Sequence, residues 1–372
     1  MIPVNEPALG ERELELVADC VRTGWVSSAG PYLDEFERRW ADYCGMKHGV
    51  AVSSGTAALD VAVSCLRLQP GDEVILPSFT IISCAQAITK HGGLPVLVDC
   101  DLETWCLDVD QVAARITPRT RAVMVVHMYG HPADMDPLRE LADRFGLVLI
   151  EDAAEAHGAE YKGRRCGGLG DISCFSFYAN KIITTGEGGM VLTDNDDWAA
   201  HARAYRNLCF RSDRRFYHEE LGENYRMTNL QAALGVAQLE RVGEIVAHKR
   251  AMAAAYTERL QSCKALQLPT EREWARNTFW MYGMVLRVGG RRNSAGLAAE
   301  LSQRLRAHGV ETRPFFLGMH EQPAFHSMGL FVGEEYPVTE MLARQGLYLP
   351  SGTALTERQV DDASAAVLEC VA

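Results

Sequence analysis

Apolar positions recur along the chain with a helical period at first and then in short continuous runs. In 11–22, Leu14, Val17 and Val21 recur at helical spacing, and Gly24 is placed to stop the helix. In 32–43, Leu33, Phe36, Trp40 and Tyr43 line one face ahead of Gly45. From residue 49 the rhythm becomes strand, turn, helix. Apolar runs at 49–53, 73–77, 95–99, 122–127, 147–152 and 171–177 predict strands. Helices are expected from 54–56 through Leu66, over 80–90, and from Asp136 with Leu138, Leu141 and Phe145 inward. Runs without alternation belong to strands covered on both faces, so the pattern predicts an α/β fold with a mostly parallel sheet between helices.

A capping box, Thr228-x-x-Gln231, opens one long helix carrying Leu230, Leu234 and Ala237 and continuing through Lys249. Beyond it, 281–287 reads as a strand, Leu297, Leu301 and Leu305 mark a helix, and Thr356-x-x-Gln359 caps the last one. The chain therefore divides into a large domain, 1–245, and a smaller C-terminal α+β domain, 246–372.

Composition narrows the class. With 47% hydrophobic and 23% charged residues over 372 positions, the chain is an ordinary globular one. A net charge of −12 argues against nucleic acid or an anionic membrane as a partner. No apolar run approaches the ~20 residues that span a bilayer, and an early acid at Glu6 speaks against a leader. The eleven cysteines form no C-x-x-C pair, so neither a metal site nor a disulfide framework is expected, and a reducing cytoplasm is.

Ligands of parallel sheets bind beyond the carboxyl ends of the strands, and four candidate segments lie there. Ser54-Gly55-Thr56 opens a helix whose N–H groups and hydroxyls suit a phosphate, although taken alone the segment reads more readily as an ordinary N-cap. Asp152 ends an apolar strand and could hold a ring nitrogen protonated, with Glu155 one turn on. Ser176 and Lys181 flank aromatics just before a glycine-rich turn, where a desolvated amine can attack a carbonyl. Phe79, past the strand end at Pro77, could stack on a flat ring or simply pack in the core. Phosphate donors, an acid, an aromatic plate and an amine together suit pyridoxal phosphate. Neither G-x-x-x-x-G-K-[ST] nor G-x-G-x-x-G occurs, which removes the support for a nucleotide cradle or a dinucleotide-binding oxidoreductase.

With these stretches in view, the sequence resembles the DegT/DnrJ/EryC1/StrS sugar aminotransferases, which share the fold-type I architecture of pyridoxal phosphate enzymes. The resemblance rests on 53–59, 151–158, 175–181, 185–190, 224–229 and 231–239. It implies that Lys181 forms the Schiff base and shuttles protons, that Asp152 pairs with the pyridine nitrogen, and that Glu155 lies near the 3-hydroxyl. It also implies that Ser54, Gly55, Thr56 and Ser176 bind the phosphate and that Phe79 stacks on the ring. Asn224 would reach the phosphate of a neighbouring subunit, which makes a cytoplasmic homodimer with composite sites; Glu223 departs from the apolar residue of many relatives. Thr23–Ser28, 277–280 and 311–315 resemble the branch that moves an amine from glutamate onto C4 of a GDP-linked 4-keto-6-deoxy sugar in surface-polysaccharide synthesis. Arg211, Arg214, Arg215 and Arg313 are candidate anion contacts, the first three equally readable as a solvated ion-pair surface. Other keto or aldehyde sugars, an unactivated acidic sugar among them, and a non-catalytic cofactor-binding regulator stay open at this point.

Overall fold

The computed structural model describes residues 1–211, 213–214, 216–287 and 296–371. Two helices open the chain, α1 (Glu11–Thr23) and α2 (Pro31–Cys44). Pro31 occupies the first turn of α2, where a missing N–H costs nothing, and Leu33, Phe36 and Trp40 are buried along it as expected. The face of α1 differs from the expectation. Leu14 and Val21 are 63% and 64% exposed, while Glu13, Leu16 and Cys20 are buried. Glu13 can be buried because Gln238, 225 residues on, donates to it at 2.6 Å and the Gly10 N–H donates at 2.9 Å. Apolar spacing does not register such a partner.

The large sheet contains β1 (His48–Val52), β2 (Glu73–Pro77), β3 (Leu94–Val98), β4 (Thr120–Val126) and β5 (Val148–Asp152). A small hairpin follows, β6 (Glu160–Tyr161) with β7 (Arg164–Arg165), and then β8 (Ile172–Ser176) and β9 (Gly189–Thr193) return to the sheet. The strand order is β1-β9-β8-β5-β4-β2-β3. All neighbours run parallel except β9, which is antiparallel to both β1 and β8. Sequence reading did not include β9, whose short apolar run directly follows a glycine-rich turn. Every position of β2, β8 and β9 is buried, the signature of a sheet covered on both sides.

The covering helices include α3 (Gly55–Cys65), α4 (Ser83–Lys90), α5 (Val109–Arg115), α6 (Met135–Phe145) and α7 (Asp196–Tyr205). In α6 Leu138 is buried but Phe145 is 46% exposed. The long helix expected from Thr228 is two, α8 (Asn229–Glu240) and α9 (Val242–Leu260), broken at Arg241 with φ −111° and ψ 5°. The capping box forms, with the Thr228 side chain accepting from the Gln231 N–H.

Helix α9 spans two hydrophobic cores. Val242, Ile245 and Val246 pack with the large sheet, whereas Met252, Tyr256 and Leu260 pack with a smaller one. That smaller sheet joins β10 (Leu266–Gln267), β12 (Tyr282–Leu286), β13 (Arg313–Pro314) and β14 (Gly346–Leu349) in the order β10-β12-β14-β13, all antiparallel. Strand β11 (Ala275–Arg276) instead pairs with β6, making a three-stranded sheet β11-β6-β7 with the hairpin that follows β5. The helices at Leu297–Ala307 and Glu357–Val371 form where the leucine spacing and the second capping box place them. All eleven cysteines are free thiols, nine of them buried as small hydrophobes. Among the described residues no helix is long and apolar enough to cross a membrane.

Candidate active site

The carboxyl ends of β1, β5 and β8 meet at one cleft of about 350 Å³, lined by Ser54, Gly55, Thr56, Asp152, Glu155, Ser176 and Lys181 among others. Strand order explains the meeting. Asp152 pairs in register with Cys174, two residues before Ser176, and Gly189 of β9 sits opposite both Val52 and Ser176. The β6–β7 hairpin absorbs the chain between β5 and β8, so residues far apart in sequence end on adjacent strands.

One end of the cleft is an anion cradle. Ser54 caps α3, its Oγ accepting from the Ala57 N–H at 3.1 Å. Thr56 Oγ1 lies 2.9 Å from Ser83 Oγ, and both residues line the cleft. Gly55 is required by close approach, because a Cβ there would lie 2.6 Å from Ser176 Cβ. A Cβ on Gly189 would meet the Ser54 carbonyl oxygen at 2.3 Å. Hydroxyls, unpaired N–H groups and the positive end of α3 therefore converge at one place.

The other end carries charge. Asp152 is buried, one oxygen accepting from the Ala154 N–H at 3.1 Å and the other from Cys84 Sγ at 3.1 Å. Glu155 accepts from the Tyr129 N–H at 2.8 Å and stands 3.8 Å from Lys181 Nζ. It reaches the cleft from a turn rather than from a helix. Burial raises the Glu155 carboxyl and lowers the Lys181 amine; each group's attraction for the other opposes its shift. Lys181 also packs its Nζ 3.7 Å from the centre of the Trp280 ring. An amine so desolvated is less basic than an exposed lysine, which favours nucleophilic work near neutral pH.

Behind these groups lies a rigid support. Glu151 is buried against His127 Nε2 at 2.9 Å and receives the N–H groups of Gly167, Leu169 and Gly170. Burial pushes its carboxyl up, but those partners outweigh the effect and leave it below the usual range. His157 donates from Nε2 to the Ser176 carbonyl at 2.8 Å, with its ring among Trp40, Phe175 and Phe177. Burial lowers its pKa to about 3, so the ring is neutral and acts as a prop beneath Ser176.

Several candidates lie elsewhere. Phe79 does not line the cleft; it is fully buried, its ring packed with Tyr129, Phe315 and Phe316 at 5.8–6.2 Å. An aromatic at a strand end gains more from such a cluster than from exposure, and Ile81, 43% exposed, lines the cleft from that segment instead. Asn224 is exposed and outside this cleft. Arg211 pairs with Asp213 and Glu219 at the surface, Arg214 stacks on Tyr217 at 4.6 Å, and Arg215 lies outside the described residues. Arg313 does line the cleft, beside Tyr348, and pairs with no carboxylate among the described residues.

Sequence reasoning missed Ser83, Asn180, Trp280, Phe316 and Tyr348 as lining residues. Ser83 had a signal, since it begins a helix just past the end of β2. Trp280 falls in the 277–280 stretch noted for its resemblance, without a role of its own, whereas Phe316 and Tyr348 had no signal, because the smaller sheet and its flanking loops carry them in from at least 135 residues beyond Lys181.

Known proteins resemble this chain over nearly its whole length. The profile of the DegT/DnrJ/EryC1/StrS aminotransferase family matches residues 7–368. The chain is 43% identical to GDP-perosamine synthase of Caulobacter vibrioides over 98% of this chain and 97% of that one. It is 39% identical to GDP-perosamine synthase of Escherichia coli O157:H7 over 96% and 95%. Among solved structures, S. venezuelae DesV in complex with a ketimine intermediate is similar with a TM-score of 0.87 and 37% identity, covering 96% of this chain and 93% of that one.

Proposed function

Because this chain belongs to the DegT/DnrJ/EryC1/StrS aminotransferase family, we propose that it transfers an amino group from glutamate to C4 of a nucleotide-linked 4-keto-6-deoxy sugar, as a GDP-perosamine synthase does, using pyridoxal phosphate. One observation carries the reading: the N-terminus of α3, the buried Asp152 carboxylate and the desolvated Lys181 amine face a single cleft.

The residues present fit that cofactor. The cradle at Ser54, Gly55, Thr56 and Ser176 is built so tightly that Gly55 has no room for a side chain, and its donor set suits a phosphate. Asp152 would hold a proton on the ring nitrogen, and Glu155 would lie by the ring's hydroxyl. When bound, the cofactor supplies an aldehyde that condenses with amines and a protonated ring that draws electrons from the carbon being deprotonated. Lys181 Nζ, made less basic by burial, is suited to take a proton from one carbon and return it to another. Glu155 Oε1, 3.8 Å away, offsets part of that depression and keeps the protonated amine accessible. Arg313, without a carboxylate partner among the described residues, is a guanidinium available in the cleft for an anionic substrate.

We read the enzyme as a cytoplasmic homodimer in surface-polysaccharide synthesis. Asn224 is exposed and outside its own cleft, which supports its assignment to the cleft of a second copy. The test is direct. Purified protein loaded with pyridoxal phosphate and freed of unbound cofactor should be yellow, glutamate should bleach it, and Lys181→Ala should lose turnover while keeping its fold. Protein that stays colourless refutes the reading. A panel of keto and aldehyde sugars scored by mass for amine gain identifies the acceptor.

A further inference from the structure

Resting on the assignment of Lys181 as the reactive amine, we infer that Trp280 is a positioning residue that holds this amine and adjusts its protonation, and that the fold around 277–281 is built to keep it there.

The indole touches Lys181 in two ways. Its face lies 3.7 Å from Nζ, and its Nε1 donates at 2.7 Å to the carbonyl of Asn180, the residue just before the lysine. One ring thus fixes both the backbone that launches the side chain and the amine at its end. Trp280 is itself only 4% exposed, so it has little freedom to move aside.

Two costly features converge on the same segment. Phe279 adopts φ +48°, a left-handed conformation unfavourable for a bulky residue, with its N–H donated to Asn277 Oδ1 at 2.7 Å. Gly130 packs so closely that a Cβ on it would lie 2.9 Å from the backbone nitrogens of both Phe279 and Trp280. Beneath them is Lys249, 1% exposed, which donates to the carbonyl of Trp280 at 2.7 Å and to that of Ser351. Among the described residues no carboxylate pairs with this buried amine. Burying an amine with only carbonyls as partners is unfavourable, as is left-handed Phe279, and both features end at the backbone of the residue that holds the reactive amine.

The consequence is chemical. Burial alone makes Lys181 a poor cation. The electron-rich ring face favours the protonated amine and returns part of that loss. A proton carrier must both take and give, which is most effective with a pKa near working pH. Trp280 and Glu155 together bring Lys181 back toward that range.

The experiment measures Lys181 itself. In the full-length chain freed of cofactor, competitive acetylation across pH, read by peptide mass, gives the titration of this one amine. Trp280→Leu should lower its midpoint by about one pH unit, and Trp280→Phe, which keeps a ring face, should lower it less than half as far. Circular dichroism checks the fold, and Trp280→Met replaces Trp280→Leu under the same expectation if the latter does not fold. A wild-type midpoint in the folded Leu or Met variant, or an equal shift in the Phe variant, overturns the proposal. The labelling needs neither cofactor nor substrate, so such a failure leaves the aminotransferase reading standing, and protein that stays colourless with cofactor leaves the labelling result standing.

Discussion

Replacing Lys249 by Met should change how stability depends on pH. Burial pushes the Lys249 amine from 10.5 down to about 7 in the folded protein, while an unfolded chain leaves it near its ordinary value. Between those limits the unfolded state binds a proton that the folded state does not. Stability on account of Lys249 therefore rises with pH across the window and is lost as pH falls through it toward 7. A displacement of roughly 3.5 pH units corresponds to about 4–5 kcal/mol at its fullest, of which about 2.5 kcal/mol is recovered between pH 8 and pH 10. Methionine does not titrate. It leaves the Trp280 and Ser351 carbonyls without this donor, at a cost of about 1–3 kcal/mol that does not vary with pH. The assay is urea unfolding of cofactor-free wild type and Lys249→Met at pH 8 and pH 10, at one protein concentration. Wild type should gain on the variant by about 2.5 kcal/mol across that interval. A difference constant within about 0.5 kcal/mol would show that Lys249 does not carry a depressed pKa, and the reasoning fails.

Gly55→Ala would set a Cβ 2.6 Å from Ser176 Cβ, so the cradle must open. Cofactor affinity by absorbance titration should fall at least tenfold, with a stability loss of about 1–3 kcal/mol; unchanged affinity removes the cradle from the phosphate site. Arg313→Ala, at an exposed position, should leave the melting temperature in place and raise KM for an anionic substrate about tenfold. Unchanged KM for both donor and sugar rules Arg313 out. Glu151→Ala removes the acceptor of three loop N–H groups and the partner of His127, so chemical denaturation should show a loss of about 3–5 kcal/mol; a loss below about 1 kcal/mol contradicts the support role.

Much of this protein was decided by short-range pattern. Buried strands announce themselves as continuous apolar runs, and Thr228 and Thr356 satisfy helix ends through residues three positions away, so both were legible from the chain alone. Lys181 and Asp152 were legible for a related reason: each follows or ends an apolar strand, and strand ends are where a parallel sheet presents chemistry. Tertiary structure decided what depends on distant partners. The buried face of α1 follows Glu13 because Gln238 supplies its hydrogen bond. Phe79 went to the aromatic core because Phe315 and Phe316 arrive from the other end of the chain to receive it. Trp280 and Arg313 reach the cleft only because the smaller sheet and its flanking loops deliver them there. Periodicity records whether a side chain prefers water or the interior, but not which interior or beside which partner, and those choices set the environment of the reactive amine.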